Sequence, residues 1–135
     1  MAPLVSWLVG VLESAELGEL SAFAEVKQSW TGVVMNWPPA AVMPRTSQFD
    51  PEVVGASHSM NLLTVKFGVQ GMDADQVTGD ATAYMLAIDA AIDAAGLPPN
   101  AVRVFIQEHD YGLLYQKSGS FAKFPELHLL IEVYE

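Results

Sequence analysis

An α+β fold, with a mainly antiparallel sheet of four to five strands packed by an N-terminal helix and a long central helix, is predicted by three features of this sequence. Leu63, Val65, Phe67 and Val69 alternate with Leu62, Thr64, Lys66 and Gly68, the period-two signature of a strand with one buried face. Val77, Ala81, Tyr84, Ile88, Ala91, Ile92 and Ala95 then fall on one stripe at helical spacing. Near the end of the chain, Leu127, Leu129, Ile131 and Val133 face one way, and His128, Leu130, Glu132 and Tyr134 face the other. A helix over residues 74–95 spans ~33 Å at ~1.5 Å per residue, and the strand before it ~30 Å at ~3.3 Å per residue. The matched lengths let the helix lie along the sheet and cover one face.

The elements follow in order. Met1–Ser14 reads as a helix: Pro3 suits its first turn, and Leu4, Trp7, Leu8, Val11 and Leu12 form a stripe that Val5 and Val9 widen. Gly18 ends the pattern. Over Ala22–Trp30, Phe23, Glu25 and Lys27 alternate as in a strand, although Ala and Glu also suit a helix. Thr31-Gly32 reads as a turn and Val33–Trp37 as a second short strand. Pro38-Pro39 leads into Ala40–Met43, which ends at Pro44; prolines at both ends predict a short strand at a sheet edge. Arg45–Ser59 carries few pattern matches and reads as a functional or mobile loop, with one that orders on assembly as the preferred version and Phe49, Val53 and Val54 as its large apolar groups.

Past the strand at Leu62–Val69, Asp73 is placed to accept from free N–H groups at the start of the central helix, and Gln76 to reach back to it. Gly96 supplies the exit and Pro98-Pro99 prevents continuation. Val102, Val104 and Ile106 alternate again as a strand. Lys117–Ser120 reads as the tip of a turn before the last strand.

At 135 residues the chain predicts one domain, 1–135, that buries ~65–70 % of its unfolded surface. Half of it is hydrophobic and only 16 % is charged, which suggests apolar surface buried against a partner. Sixteen acidic against six basic residues give a net charge of −10, a sign that repels phosphate backbones and argues against sequence-reading nucleic-acid binding. With no cysteine, disulfides, thiolate catalysis and zinc–thiolate sites are excluded. The apolar run Leu4–Leu12 is too short to span a bilayer, and no basic residue precedes it; no membrane partner is expected.

The best catalytic candidate is Glu108-His109-Asp110, a histidine beside two carboxylates. Neighbours on a strand point to opposite faces, so convergence of the three requires a bulge or turn. His58, His109 and His128 lack metal-ligand spacing. Two other features ask for a reason. Asp89 and Asp93, four apart late in the central helix, repel each other and oppose the helix dipole; they are either a tolerated surface cost or an acidic patch set against a cation or polyanion. Tyr111, Leu113, Leu114, Tyr115, Phe121 and Phe124 crowd a connection that should be polar. They either extend two strands into a hairpin packed at home or form an interface to a neighbouring subunit.

This order of elements resembles the tail terminator and tail completion proteins of long-tailed bacteriophages. The resemblance is carried by the Pro38–Pro44 run, by the strand and helix from Leu62 to Ala95 with Tyr84 and Ile88 inward, and by Ala101–Val104 paired with Leu127–Tyr134. It implies a non-enzymatic structural protein of the virion, assembled in the host cytoplasm, that forms a homohexameric ring without a cofactor. Such a ring caps the tail tube and offers the joining surface to the head. Its partners are the tail tube protein and a neck or head-completion protein, and DNA passes without specific binding. Under this resemblance Asp89 and Asp93 fit a lumen-facing acidic patch. Phe49, Val53, Val54, Tyr111, Leu113, Leu114, Tyr115, Phe121 and Phe124 fit contacts to ring neighbours or the tube. An adjacent neck protein shares parts of the pattern. A small α+β ligand-binding domain or enzyme using His109 with Glu108 and Asp110 is the reading from a different class.

Overall fold

The computed structural model describes residues 1–30, 36–49 and 58–134. The fold is α+β: the described residues form two helices, a five-stranded sheet and a three-stranded sheet. In chain order the elements are α1 (Ala2–Glu13), β1 (Glu25–Lys27), β2 (Pro39–Phe49), β3 (His58–Phe67), β4 (Val69–Gly71), α2 (Ala74–Ala95), β5 (Ala101–Asp110), β6 (Tyr115–Lys117), β7 (Ser120–Lys123) and β8 (Glu126–Tyr134). The large sheet has the order β1-β2-β3-β8-β5, antiparallel throughout except for the short parallel β1–β2 pair. The small sheet has the order β4-β7-β6.

The expected alternation sets the core. Leu63, Val65 and Phe67 on β3 and Leu127, Leu129 and Ile131 on β8 are fully buried, and they pair across the central strands, Leu63 with Leu129 and Val65 with Leu127. Both helices pack on that face. Leu4, Val5, Leu8, Val11 and Leu12 of α1 and Val77, Ala81, Tyr84, Met85, Ile88 and Ile92 of α2 join the same cluster. Tyr84 and Ile88 are thus inward, as the stripe requires; Ala91 is only partly buried and Ala95 is exposed, because the last turn of α2 runs past the packed layer.

Local signals place the helix ends. The Asp73 side chain accepts from the N–H groups of Asp75 and Gln76 at 2.8 and 3.2 Å, satisfying two of the free donors of the first turn. The reciprocal bond expected from Gln76 does not form among the described residues; its side chain lines a cleft beside Asp80 instead. Gly96 ends the helix at φ 74°, a conformation that disfavours a Cβ.

Three expectations are corrected, and a fourth lies mostly outside the described residues. The run at Ala40–Met43 belongs to an eleven-residue strand, β2, that continues through Pro44 to Phe49. Pro44 is tolerated because a register shift between Pro44 and Thr46 bulges the strand there. The expected loop Arg45–Ser59 is strand at both of its described ends: Arg45–Phe49 lie in β2, His58 and Ser59 in β3, and residues 50–57, with Val53 and Val54, lie outside the described residues. Of the expected strand Val33–Trp37, residues 33–35 also lie outside them, while Asn36 and Trp37 form a bend. Val102 does not alternate inward with Val104 and Ile106. A bulge between Ala101 and Arg103 turns it out, half exposed.

Beyond Tyr111–Leu114, which lie in no helix or strand, the aromatic connection Tyr111–Phe124 is no simple extension of the β5–β8 pair. It folds into the β6–β7 hairpin, turned by Ser118 and Gly119, both at positive φ, and β4 completes its sheet. The junction of the two sheets is aromatic: Trp30, Trp37 and Tyr115 each lie within 6 Å of the Phe124 ring centroid. Gly68 sits beneath it. A Cβ there would meet Trp37 Cζ3 at 2.8 Å, Pro39 Cγ at 3.1 Å and Phe124 Cε1 at 3.3 Å, so this glycine is required by packing.

Candidate functional site

The predicted site residues fall into three places. The first is the wall between α2 and the edge strand β5. Register puts Ala101, Val104, Ile106 and His109 on the helix-facing side of β5, opposite Val133, Ile131, Leu129 and Leu127. A second bulge, between Ile106 and Glu108, allows His109 to follow Ile106 on that side. His109 Nε2 lies 2.9 Å from Asp89 Oδ1, with both side chains about one-quarter exposed. Glu108 points to the opposite face, where it pairs with His128, and Asp110 accepts from the Gly112 N–H at 2.9 Å. The three neighbours Glu108, His109 and Asp110 therefore do not converge. The structure instead supplies a single Asp–His pair that ties the edge strand to the central helix. Above it a cleft of about 260 Å³ opens between Asp89, Ile92, Asp93, Leu97, Val104 and Ile106. Its floor is apolar and its rim carries both aspartates. The Asp89–Asp93 patch is thus half engaged, since one of its members holds His109.

The second place is the opposite face of the large sheet, where sequence reasoning missed a chain of contacts. Glu132, in β8, sits between β3 and β5. Its Oε1 lies 3.1 Å from His58 Nε2, and its Oε2 accepts from Arg103 Nη2 at 2.8 Å and Nε at 3.1 Å. His58 stacks on Tyr134 with ring centroids 4.2 Å apart, and Arg103 lies over Phe105. Burial pushes the Glu132 carboxyl up, but the Arg103 and His58 hydrogen bonds and charges outweigh it and hold the group below its ordinary value. The signal lay in cross-strand register, which the sequence does not display. On the same face Thr64 Oγ1 and His128 Nδ1 share a 3.0 Å hydrogen bond. The three histidines thus occupy three separate settings, and among the described residues no group of three His, Cys, Asp or Glu side chains is placed to hold a metal ion.

The third place is apolar surface. Phe49, at the end of β2, is 72 % exposed. Leu113 is equally exposed, and Tyr111, Leu114 and Tyr115 beside it are at least one-third exposed. Phe121 instead packs on the core, and Phe124 fills the aromatic junction. Both readings of this stretch therefore hold in part: its second half is packed at home, while its first half faces solvent.

A further cleft, of about 510 Å³, lies between Trp37, Gln70, Gln76, Asp80 and Tyr84. The Tyr84 hydroxyl donates to the Ser21 carbonyl. Burial, reinforced by the nearby Asp80 charge, raises its pKa, so it serves as a neutral tie rather than a base. No described helix is long and apolar enough to cross a membrane. No protein-family model matches the chain, and no curated protein matches it in sequence.

Proposed function

We propose that this chain is a structural assembly protein: a ring-forming tail terminator that caps the tail tube of a long-tailed bacteriophage and offers the joining surface to the head. Its working form is a homohexamer. It meets the tail tube protein on one side and a neck or head-completion protein on the other, resides at the head-proximal end of the tail, and lets DNA pass without specific binding.

The observation that carries this reading is the sheet's two open ends. Among the described residues β5 terminates one side. On the other side β1 pairs only with Pro39–Ala41, so among the described residues the Val42–Phe49 length of β2 has no second neighbour. Exposed strand edges are templates for pairing with another chain, and two different edges on one chain suit head-to-tail association. The exposed Phe49, Leu113, Leu114 and Tyr115 add apolar contact area, and the net charge of −10 suits a bore that must not retain DNA. A neighbouring neck protein would use the same features.

Native mass measurement of the purified chain, alone and with tail tubes, tests the proposal. A six-fold species in either sample is expected, and a strict monomer in both overturns it. The Asp89–His109 pair beside an apolar cleft favours a second reading, a small-ligand domain. Binding of a small molecule that is lost in His109→Ala, in a chain that stays monomeric, would establish that one.

A further inference from the structure

We infer that the ring contact is a strand-to-strand one. The β2 edge of one copy pairs antiparallel with the β5 edge of the next, and Phe49 of the first copy covers the cleft between α2 and β5 of the second. The inference rests on the self-assembly reading and specifies its interface.

Strand direction permits the contact. β2, β3, β8 and β5 alternate in direction, so setting β5 beside β2 of a copy in the same orientation makes an antiparallel pair. Hydrogen-bond alternation then selects the residues. The Tyr134 N–H donates to the Asn100 carbonyl, and the Gly68 N–H to the Pro39 carbonyl. Counting from these bonds, and allowing for each bulge, Val104 and Ile106 of β5 and Ser47 and Phe49 of β2 turn their N–H and C=O groups to the open side.

Pairing Ile106 with Ser47 and Val104 with Phe49 satisfies all four residues. It also matches faces. Phe49 and Ser47 pair with Ser59 and Asn61, which pair with Val133 and Ile131 on the helix-facing side, the side that Val104 and Ile106 occupy. Phe49, 72 % exposed in the free chain, then lies over the apolar floor formed by Ile92, Leu97, Val104 and Ile106.

The same register sets Arg45 opposite Glu108. Both side chains are exposed, neither has an ion-pair partner among the described residues, and the bulges of the two strands fall at the same level. Past Arg45 the pairing stops, because Pro44 has no N–H to donate. The knob, the cleft and the complementary charges thus lie on opposite edges of one chain. This is the condition for a head-to-tail contact, which closes into a ring or runs on as a filament.

The chain has no cysteine, so disulfide trapping tests the contact directly. In this register Gln48 and Phe105 form a non-hydrogen-bonded pair, close enough for a disulfide. A mixture of Gln48→Cys and Phe105→Cys chains should cross-link under oxidation, while neither chain should cross-link alone. Cross-linking of Phe105→Cys with itself would reveal a two-fold β5–β5 contact and overturn the inference.

A six-fold mass with no mixed cross-link leaves the ring reading standing and removes this interface. A mixed cross-link on open-ended polymers keeps the interface and removes the ring. A monomer with no cross-link removes both. Independently, Arg45→Glu should lower the assembled fraction, and adding Glu108→Arg to the same chain should restore it. Failure of the second change to rescue the first counts against the register.

Discussion

Two residues show how much depends on positions that carry no recognisable motif. Gly68 reads in sequence as one outward position of an alternating strand, yet its role is to leave room for Trp37, Pro39 and Phe124. Gly68→Val should cost about 1–3 kcal/mol through overpacking, read as a lower urea midpoint with an unchanged slope. Glu132 is invisible as a site in sequence because its partners, His58 and Arg103, lie 74 and 29 residues away. Its carboxyl is held below its ordinary value of 4.5. A depressed folded-state value contributes stability that is present in full above the unfolded value and is lost as pH falls through the folded one. Glu132→Gln should therefore flatten that part of the acid unfolding profile. A profile with the same acid slope as the parent would show that the Arg103–Glu132–His58 chain does not couple to folding.

At the level of elements, legibility followed length. β3, α2 and β8 are long enough to display their periods, and their buried faces lie where alternation and the helical stripe put them. The small sheet was not legible, since β4, β6 and β7 have three or four residues each, too few to separate a strand from a turn. β2 was cut short because Pro44 reads as a breaker, whereas the bulge beside it carries the strand past. The candidate site was legible as residue types and not as geometry. His109 stood out, but the bulge after Ile106 decides that its partner is Asp89 rather than Glu108 or Asp110. Two substitutions test the elements. Asp73→Ala should remove about 1 kcal/mol by freeing the N–H groups of Asp75 and Gln76, measurable by thermal unfolding. Val65→Asp places a charge between Val42 and Leu127, where no cation can reach it, and should abolish folding at a cost of about 4 kcal/mol or more. Recovery of a soluble Val65→Asp chain with native circular dichroism would contradict that.

For the molecule as a whole, the division is between a packed two-layer body and a rim that faces outward. The body is bounded by the edges of the large sheet, and the rim carries Phe49, Leu113, Leu114 and Tyr115. Leu114→Glu should leave thermal stability within about 0.5 kcal/mol of the parent while weakening assembly. A lowered melting temperature with assembly intact would place that side chain in the core instead. The aromatic junction has a consequence for how such changes can be watched. Of the three tryptophans, Trp30 and Trp37 both border Phe124, and Trp30 also lies under the Lys66 ammonium. Trp7, on the first helix, packs against the hydrophobic core. Two of the three fluorophores therefore sit at the seam between the sheets, and in a Trp7→Phe chain a shift in emission maximum reports the small sheet lifting away from the large one.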